Sequence, residues 1–220
     1  MPVPARIAFL HTAAAHVSTF GALMEELAPA VASRHLVRPD LLADARAGIT
    51  SALAARVRAV VESAVAEGAR VVVCTCSTIG ACVEAVTGPG FTAMRIDRPM
   101  AEQAVRTGPR IAVVAALAST LEPTRALLLD AAARAGVEVT VSDVLCDSAW
   151  PRFEAGDVQG YLERVAVVLP GAATAADVIV LAQASMAGAV ALCATLPVPV
   201  LSSPRLGVEA ALDTLGIARS

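Results

Sequence analysis

Two stretches of this sequence return in altered form roughly a hundred residues later, and that repeat restricts the available folds more than any other feature. Arg6-Ile-Ala-Phe-Leu10 comes back as Arg110-Ile-Ala-Val-Val114, an offset of 104 residues. Arg70-Val-Val-Val-Cys74, with its turn Thr75-Cys-Ser-Thr-Ile-Gly80, comes back as Asp177-Val-Ile-Val-Leu181 with the turn Ala182-Gln-Ala-Ser-Met-Ala-Gly188, at an offset of about 107. The offsets nearly agree, so the chain reads as two related halves joined near 97–108. Each repeated piece is a short apolar run that ends in polar residues, the pattern of a buried strand leading into a turn.

Between these pieces lie helical patterns. Apolar spacing predicts helices over 17–33, over 51–66 closing at Gly68, over 122–134 stopping at Gly136 with Pro123 in the first turn, and over 157–168. Residues 137–144 alternate as a strand. Strand-helix alternation predicts an α/β fold of two pseudo-symmetric lobes, each a parallel sheet flanked by helices. Parallel sheets present functional turns at the carboxyl ends of their strands. His11-Thr12, Thr75-Cys76-Ser77, Ser119-Thr120 and Gln183 to Ser185 all fall there, which places the expected active site in a cleft between the lobes.

Composition narrows the functional classes. With 220 residues, 56% hydrophobic and 17% charged, the chain can bury a sizeable core. The mean hydropathy is +0.67, yet no apolar run reaches the roughly 18 residues of a spanning helix, so no membrane association is expected. Met1-Pro-Val-Pro-Ala-Arg6 lacks the basic segment, apolar core and cleavage site of a signal peptide, and a cytoplasmic location is expected. A net charge of −3 with 3% aromatics offers neither a phosphate-binding stripe nor stacking platforms, which argues against nucleic acid. The five cysteines are unevenly spaced and read as free thiols rather than as a disulfide framework.

Cys76 is the sharpest chemical signal. It follows a buried strand, precedes a helix and stands among Thr75, Ser77 and Thr78. The first amides of a helix carry partial positive charge, which favours a thiolate and can also hold a substrate carboxylate or an enolate. Cys76 could thus serve as base, acid or nucleophile. Cys74 and Cys82 read instead as small apolar fillers, and a Cys-x-Cys without a second pair or an adjacent His does not match zinc-ligand spacing, so no metal is expected. Ser119, Thr120 and Thr124 offer hydroxyls at a helix start, suited both to capping and to a carboxylate. His11 could hydrogen-bond a ligand, although a lone His is more often structural. Asp97, in Arg95-Ile-Asp-Arg98, suits either an ion pair with a neighbouring Arg or the orientation of a thiol.

Taken together, Leu10-His-Thr12, Thr75-Cys-Ser-Thr-Ile-Gly80, Ile96-Asp-Arg-Pro-Met-Ala101, Ser119-Thr-Leu-Glu-Pro-Thr124, Leu181-Ala-Gln-Ala-Ser-Met-Ala187 and Leu201-Ser-Ser-Pro204 resemble the aspartate/glutamate/hydantoin racemase superfamily, which also holds arylmalonate decarboxylase and maleate isomerase. The resemblance implies a cofactor-independent enzyme whose C-terminal segment returns to the first lobe, with lobes at 1–97 plus 205–220 and at 98–204. It implies a small-molecule carboxylate substrate and, with an Ala-rich surface, a homo-oligomer. Racemases of that type use one cysteine from each lobe. Cys76 matches the first, and where the second would stand this chain has Gln183, with Ser185 beside it.

Neither an amide nor an unassisted hydroxyl takes a proton from carbon as a thiolate does. The residues therefore leave several activities open: a racemase or isomerase with Cys76 as acid/base, a one-cysteine decarboxylase or other lyase, or a carboxylate-binding protein without catalysis. The expected catalytic set is Cys76, Gln183 and Ser185, the last two orienting or stabilising an enolate. The expected substrate-binding set is His11, Thr12, Thr75, Ser77, Thr78, Ser119 and Thr120.

Overall fold

The structure, a computed structural model, describes residues 6–218. The leader reading at 1–5 and the outermost lobe bounds therefore lie outside the described residues. Contacts divide the chain into two compact units, Met1–Asp97 with Pro204–Ser220, and Arg98–Ser203.

The first unit is built on β1 (Ile7–His11), α1 (His16–Leu27), β2 (Ser33–Val37), α2 (Pro39–Ala45), α3 (Ser51–Ala66), β3 (Val71–Cys74), α4 (Ser77–Glu84) and β4 (Thr92–Arg95). Its sheet is parallel in the order β2-β1-β3-β4. Both central strands, β1 and β3, are buried along their whole length, as unbroken apolar runs of a parallel sheet should be. Val57 and Val61 of α3 and Ile79 and Val83 of α4 pack with Ala8, Leu10 and Val72 in one core. Each fully buried Val, Leu or Ile side chain there contributes roughly 1.5–3 kcal/mol.

The second unit repeats the plan with α5 (Arg98–Thr107), β5 (Arg110–Ala115), α6 (Leu121–Ala135), β6 (Thr140–Leu145), α7 (Trp150–Glu154), α8 (Val158–Ala173), β7 (Val178–Leu181), a 3₁₀ segment (Ala184–Cys193) and β8 (Val200–Leu201). Its sheet runs β6-β5-β7-β8, again all parallel. The helix α9 (Ser203–Thr214) closes the described chain. Two parallel four-stranded sheets flanked by helices confirm the α/β class expected from the repeat.

Several element boundaries differ from the periodicity. The helix expected over 17–33 ends at Leu27, because Pro29 cannot supply the amide that continuation requires, and Ser33–Val37 is an edge strand instead. The joint expected at 97–108 is largely the helix α5, with Met100, Ala101, Ala104 and Val105 buried. The turn expected over 182–188 runs into a 3₁₀ segment, Ala184–Cys193. Gly136 does end α6, in the left-handed region at φ 69°, where a side chain would be strained.

In both sheets the first strand is central, and the chain leaves it to one side and then crosses to the other. Such a reversal opens a crevice at the carboxyl ends of the two central strands, where α/β proteins bind ligands. Those ends are His11 and Thr75 in the first unit, and Ala116 and Gln183 in the second.

Candidate active site

Cys76 sits two residues beyond β3 as the N-cap of α4, with extended backbone (φ −111°, ψ 117°), and is 8% exposed. Its side chain makes no capping bond, unlike Thr50 of α3 and Asp157 of α8, which accept backbone N–H groups at their helix starts. The thiol is thus placed at the positive end of α4 without being spent on the cap. Cys74, two residues earlier, is fully buried and donates its thiol proton to the Cys76 carbonyl at 3.4 Å. Burial, followed by the neighbouring Cys76, pushes the Cys74 thiol well above its ordinary range. Cys74 is a core residue.

A buried ion pair braces the turn from below. Arg95 and Asp97 are 4% and 1% exposed and bond through two parallel contacts, Nε to Oδ1 at 2.6 Å and Nη2 to Oδ2 at 2.9 Å. Burial opposes the Arg95 charge, but the Asp97 charge and hydrogen bonds outweigh it and hold the guanidinium protonated. Arg95 Nη2 also reaches the Ser77 carbonyl at 3.4 Å, in the first turn of α4. Gly80 completes the fit, since a side chain there would meet Arg95 Cβ and Nε at 3.1 Å. Asp97, left between two readings by the sequence, is an ion-pair partner here.

The chain's three histidines, His11, His16 and His35, gather beside the same turn. His11, fully buried, contacts Thr75 Oγ1 through Nδ1 at 2.8 Å and His35 Nδ1 through Nε2 at 2.8 Å. Thr75 gives its own proton to the Leu10 carbonyl at 3.3 Å. It follows that His11 Nδ1–H donates to Thr75 and that His11 Nε2 accepts from His35, both rings neutral. Burial, then the charges of His35 and His16, lowers the His11 pKa to about 3. Burial lowers His16 to about 4, and its Nδ1 has no hydrogen-bond partner among the described residues. Burial lowers His35 as well. Phe9 and Phe20 stack around these rings, which explains the low polarity they experience.

The other candidates of this unit are Thr12, which follows β1, and Ser77 and Thr78, which open α4. Thr12 and Ser77 are buried, and Thr78 carries a buried hydroxyl without a hydrogen-bond partner among the described residues.

In the second unit Gln183 occupies the position that matches Cys76. It is the N-cap of the 3₁₀ segment, with φ −121° and ψ 137°, and is 8% exposed. Its Oε1 accepts the Ala116 N–H at 2.7 Å, a bond that spans the carboxyl ends of β5 and β7. Ser185 Oγ pairs with the hydroxyl of Tyr161, the one tyrosine in the chain, at 2.8 Å. Ser119 is exposed, whereas Thr120 is buried and gives its proton to the Leu117 carbonyl at 2.7 Å, leaving only acceptor capacity. Thr124 is buried inside α6, its hydroxyl without a hydrogen-bond partner among the described residues. Cys146 lies in the core under α8, its thiol donating to the Arg164 carbonyl at 3.4 Å, so it is not part of the β5–β7 turn.

Sequence reasoning passed over His35, His16 and Tyr161. The signal for the histidines was their scarcity, three in the chain with one already assigned to a strand end. Tyr161, lone and at a helical position, offered no signal beyond that of a core aromatic.

The fold built from these two parallel α/β units is shared with solved structures of racemases. No family model matches the sequence, and no curated protein matches it. Among solved structures, the chain is similar to an aspartate racemase of Picrophilus torridus (TM-score 0.71, 12% identity, 97% of this chain and 95% of that one). It is also similar to a glutamate racemase isoform of Bacillus anthracis (TM-score 0.66, 16% identity, 96% and 83%). An allantoin racemase of Klebsiella pneumoniae gives a TM-score of 0.60 at 21% identity, covering 98% and 90%. The fold implied by the chain's motifs is therefore the fold it has. Among the described residues no helix is long and apolar enough to cross a membrane.

Proposed function

We propose that this chain is a racemase-type enzyme, in the isomerase class, that moves a proton at the carbon beside a carboxylate or carbonyl of a small acid, with Cys76 as the acid/base. The observation that carries this reading is Cys76 as an N-cap that makes no cap bond, at the switch point of a racemase fold. As thiolate, Cys76 takes the proton from carbon, and the bonding pair moves into the adjacent carbonyl to give an enolate. As thiol, it returns a proton to that carbon. No further reactant is needed for these steps to balance.

The first turn of α4, with Ser77 and Thr78, and Thr12 supply donors for substrate oxygens in this reading. His11 braces Thr75 rather than the substrate, because both its ring nitrogens are already engaged. Gln183 in the place matching Cys76 favours a second reading, a one-thiol lyase. There carbon dioxide leaves a disubstituted malonate, the electrons of the broken bond form the enediolate, and Cys76 delivers the one proton required.

The test is incubation with aspartate, glutamate, allantoin and aryl-substituted malonates in deuterium oxide, read by mass spectrometry and carbon dioxide release. The reading expects deuterium at the reacting carbon for at least one compound, and a loss of roughly 10²–10⁴-fold in Cys76→Ser. Equal turnover in Cys76→Ser, or no uptake from any of them, would refute it.

A further inference from the structure

The hydrogen bonds around His11 form a chain with one direction. It ends at the Leu10 carbonyl, which can only accept, so the Thr75 hydroxyl gives its proton there at 3.3 Å and presents its oxygen to His11 Nδ1 at 2.8 Å. His11 is fully buried, and a neutral imidazole that donates through Nδ1 must accept at Nε2. The donor that meets Nε2 at 2.8 Å is His35 Nδ1. Each side chain in the chain passes its hydrogen inward, from His35 to His11 to Thr75 to the backbone.

This chain runs from the edge of the sheet to the turn that carries Cys76. His35 lies on the edge strand β2 opposite Phe9, half-buried, with its ring stacked on Phe9 at 5.3 Å and on His11 at 5.1 Å between centroids. Thr75 is tied to β1 twice, because its backbone N–H also bonds the Leu10 carbonyl at 3.0 Å. The next residue is Cys76, whose side chain makes no bond to the start of α4. How firmly the thiol keeps its place therefore depends on how firmly residue 75 is held. The titratable groups acting on His11 are His35 from β2 and His16 from α1, while the contact from the β3 turn, Thr75, is uncharged. Without the His35 donor, a fully buried ring nitrogen would lack its partner, and His11 could reduce that cost only by turning away from Thr75.

We propose that His35 is a positioning residue for Cys76, acting through His11 and Thr75: its Nδ1–H completes a one-way chain of hydrogen bonds that fixes the turn bearing the thiol. That the thiol so held is an acid/base rests on the function proposed above. The chain carries no proton to or from Cys76, because it ends in a backbone carbonyl.

Two measurements on the full chain test this. In the unaltered protein with nitrogen-15-labelled imidazoles, long-range nitrogen–proton correlation near pH 8 should show His11 and His35 both as Nδ1–H tautomers. An Nε2–H tautomer at either one overturns the proposal. The second measurement is the rate constant of iodoacetamide at Cys76, read by peptide mapping, in wild type, His35→Phe and His35→Asn. Phenylalanine keeps the stack on Phe9 and suits an edge strand but has no donor, whereas asparagine can place an N–H where Nδ1 stood. His35→Phe should react more than about threefold more slowly, as the thiol loses its fixed place at the start of α4, and His35→Asn should stay within about twofold of wild type. A wild-type rate in His35→Phe, or a His35→Asn as slow as His35→Phe, overturns the proposal. Should His35→Phe fail to fold, the tautomers decide. Neither measurement uses a substrate, so a failure of the acid/base reading in the deuterium experiment leaves this result standing.

Discussion

Acid should destabilise this protein well above the pH at which its ion pairs titrate, and the histidine cluster sets the size of the effect. His11 and His16 have folded pKa values of about 3 and about 4, against 6.5 in the unfolded chain. Between these limits the unfolded state holds more protons, so stability falls as pH drops below the unfolded value. Going from about pH 8 to about pH 5, each of the two contributes a loss of about 2 kcal/mol, and His35 adds to it in the same direction. For a chain of this size the sum of ~4 kcal/mol corresponds to a fall of roughly 10 °C in Tm. The carboxylates held low by arginine partners, Asp40 at about 2 together with Asp130 and Asp157, lose their stabilisation only at lower pH and do not blur the window. Thermal melts at half-unit steps measure it, with His16→Phe as the comparison. That variant should lose about half of the pH dependence, since His16 supplies one of two similar terms. A Tm that stays flat from pH 7 to pH 5, or a His16→Phe slope equal to wild type, would refute the neutral-cluster argument.

Three further outcomes are expected. Iodoacetamide under native conditions should label Cys76 in preference to Cys74, whose thiol burial holds protonated, and peptide mapping after digestion reads the ratio; faster labelling of Cys74 would contradict its place in the core. Asp97→Ala should cost roughly 3–5 kcal/mol by urea unfolding, because it strands the Arg95 charge in a buried site, and a cost under ~1 kcal/mol would show that water reaches the pair. Gly207→Ala should destabilise more than Gly80→Ala, since its new methyl would collide with the Ile96 backbone oxygen whereas Gly80 meets a side chain that can give; the reverse order would mean that α9 moves away readily.

How much of this was legible in the sequence follows from burial. The four central strands announce themselves because both faces are covered, so Ile7 to Leu10, Val71 to Cys74, Ile111 to Ala115 and Val178 to Leu181 read as unbroken apolar runs. The edge strand at Ser33–Val37 does not, because its residues are half-exposed and Arg34 and His35 interrupt the pattern. At Thr140–Leu145 alternation found the strand but began it three residues early. The turns were legible as polar interruptions at strand ends, and so was the correspondence of Cys76 with Gln183. What each hydroxyl does was not. Thr75 and Thr120 look equivalent on paper, yet one bridges a carbonyl and an imidazole while the other closes a local turn. Hydrogen-bond direction depends on partners far away in sequence, 64 residues for His11 and Thr75 and 67 for Ala116 and Gln183.

Those two long-range bonds join the carboxyl ends of the first and third strands of each unit, one residue further along both strands in the second unit. In the first unit the bridge is side chain to side chain, His11 to Thr75, and leaves the next residue, Cys76, outside the bridge. In the second the bridge is backbone to side chain, Ala116 to Gln183, and consumes the residue that matches Cys76. The backbone angles at Cys76 and Gln183 differ by only 10° in φ and 20° in ψ. The backbone of the two turns is therefore alike. They differ in which residue carries the bridge: shifted by one position, it leaves the residue at the helix start outside it in the first unit and engages that residue in the second.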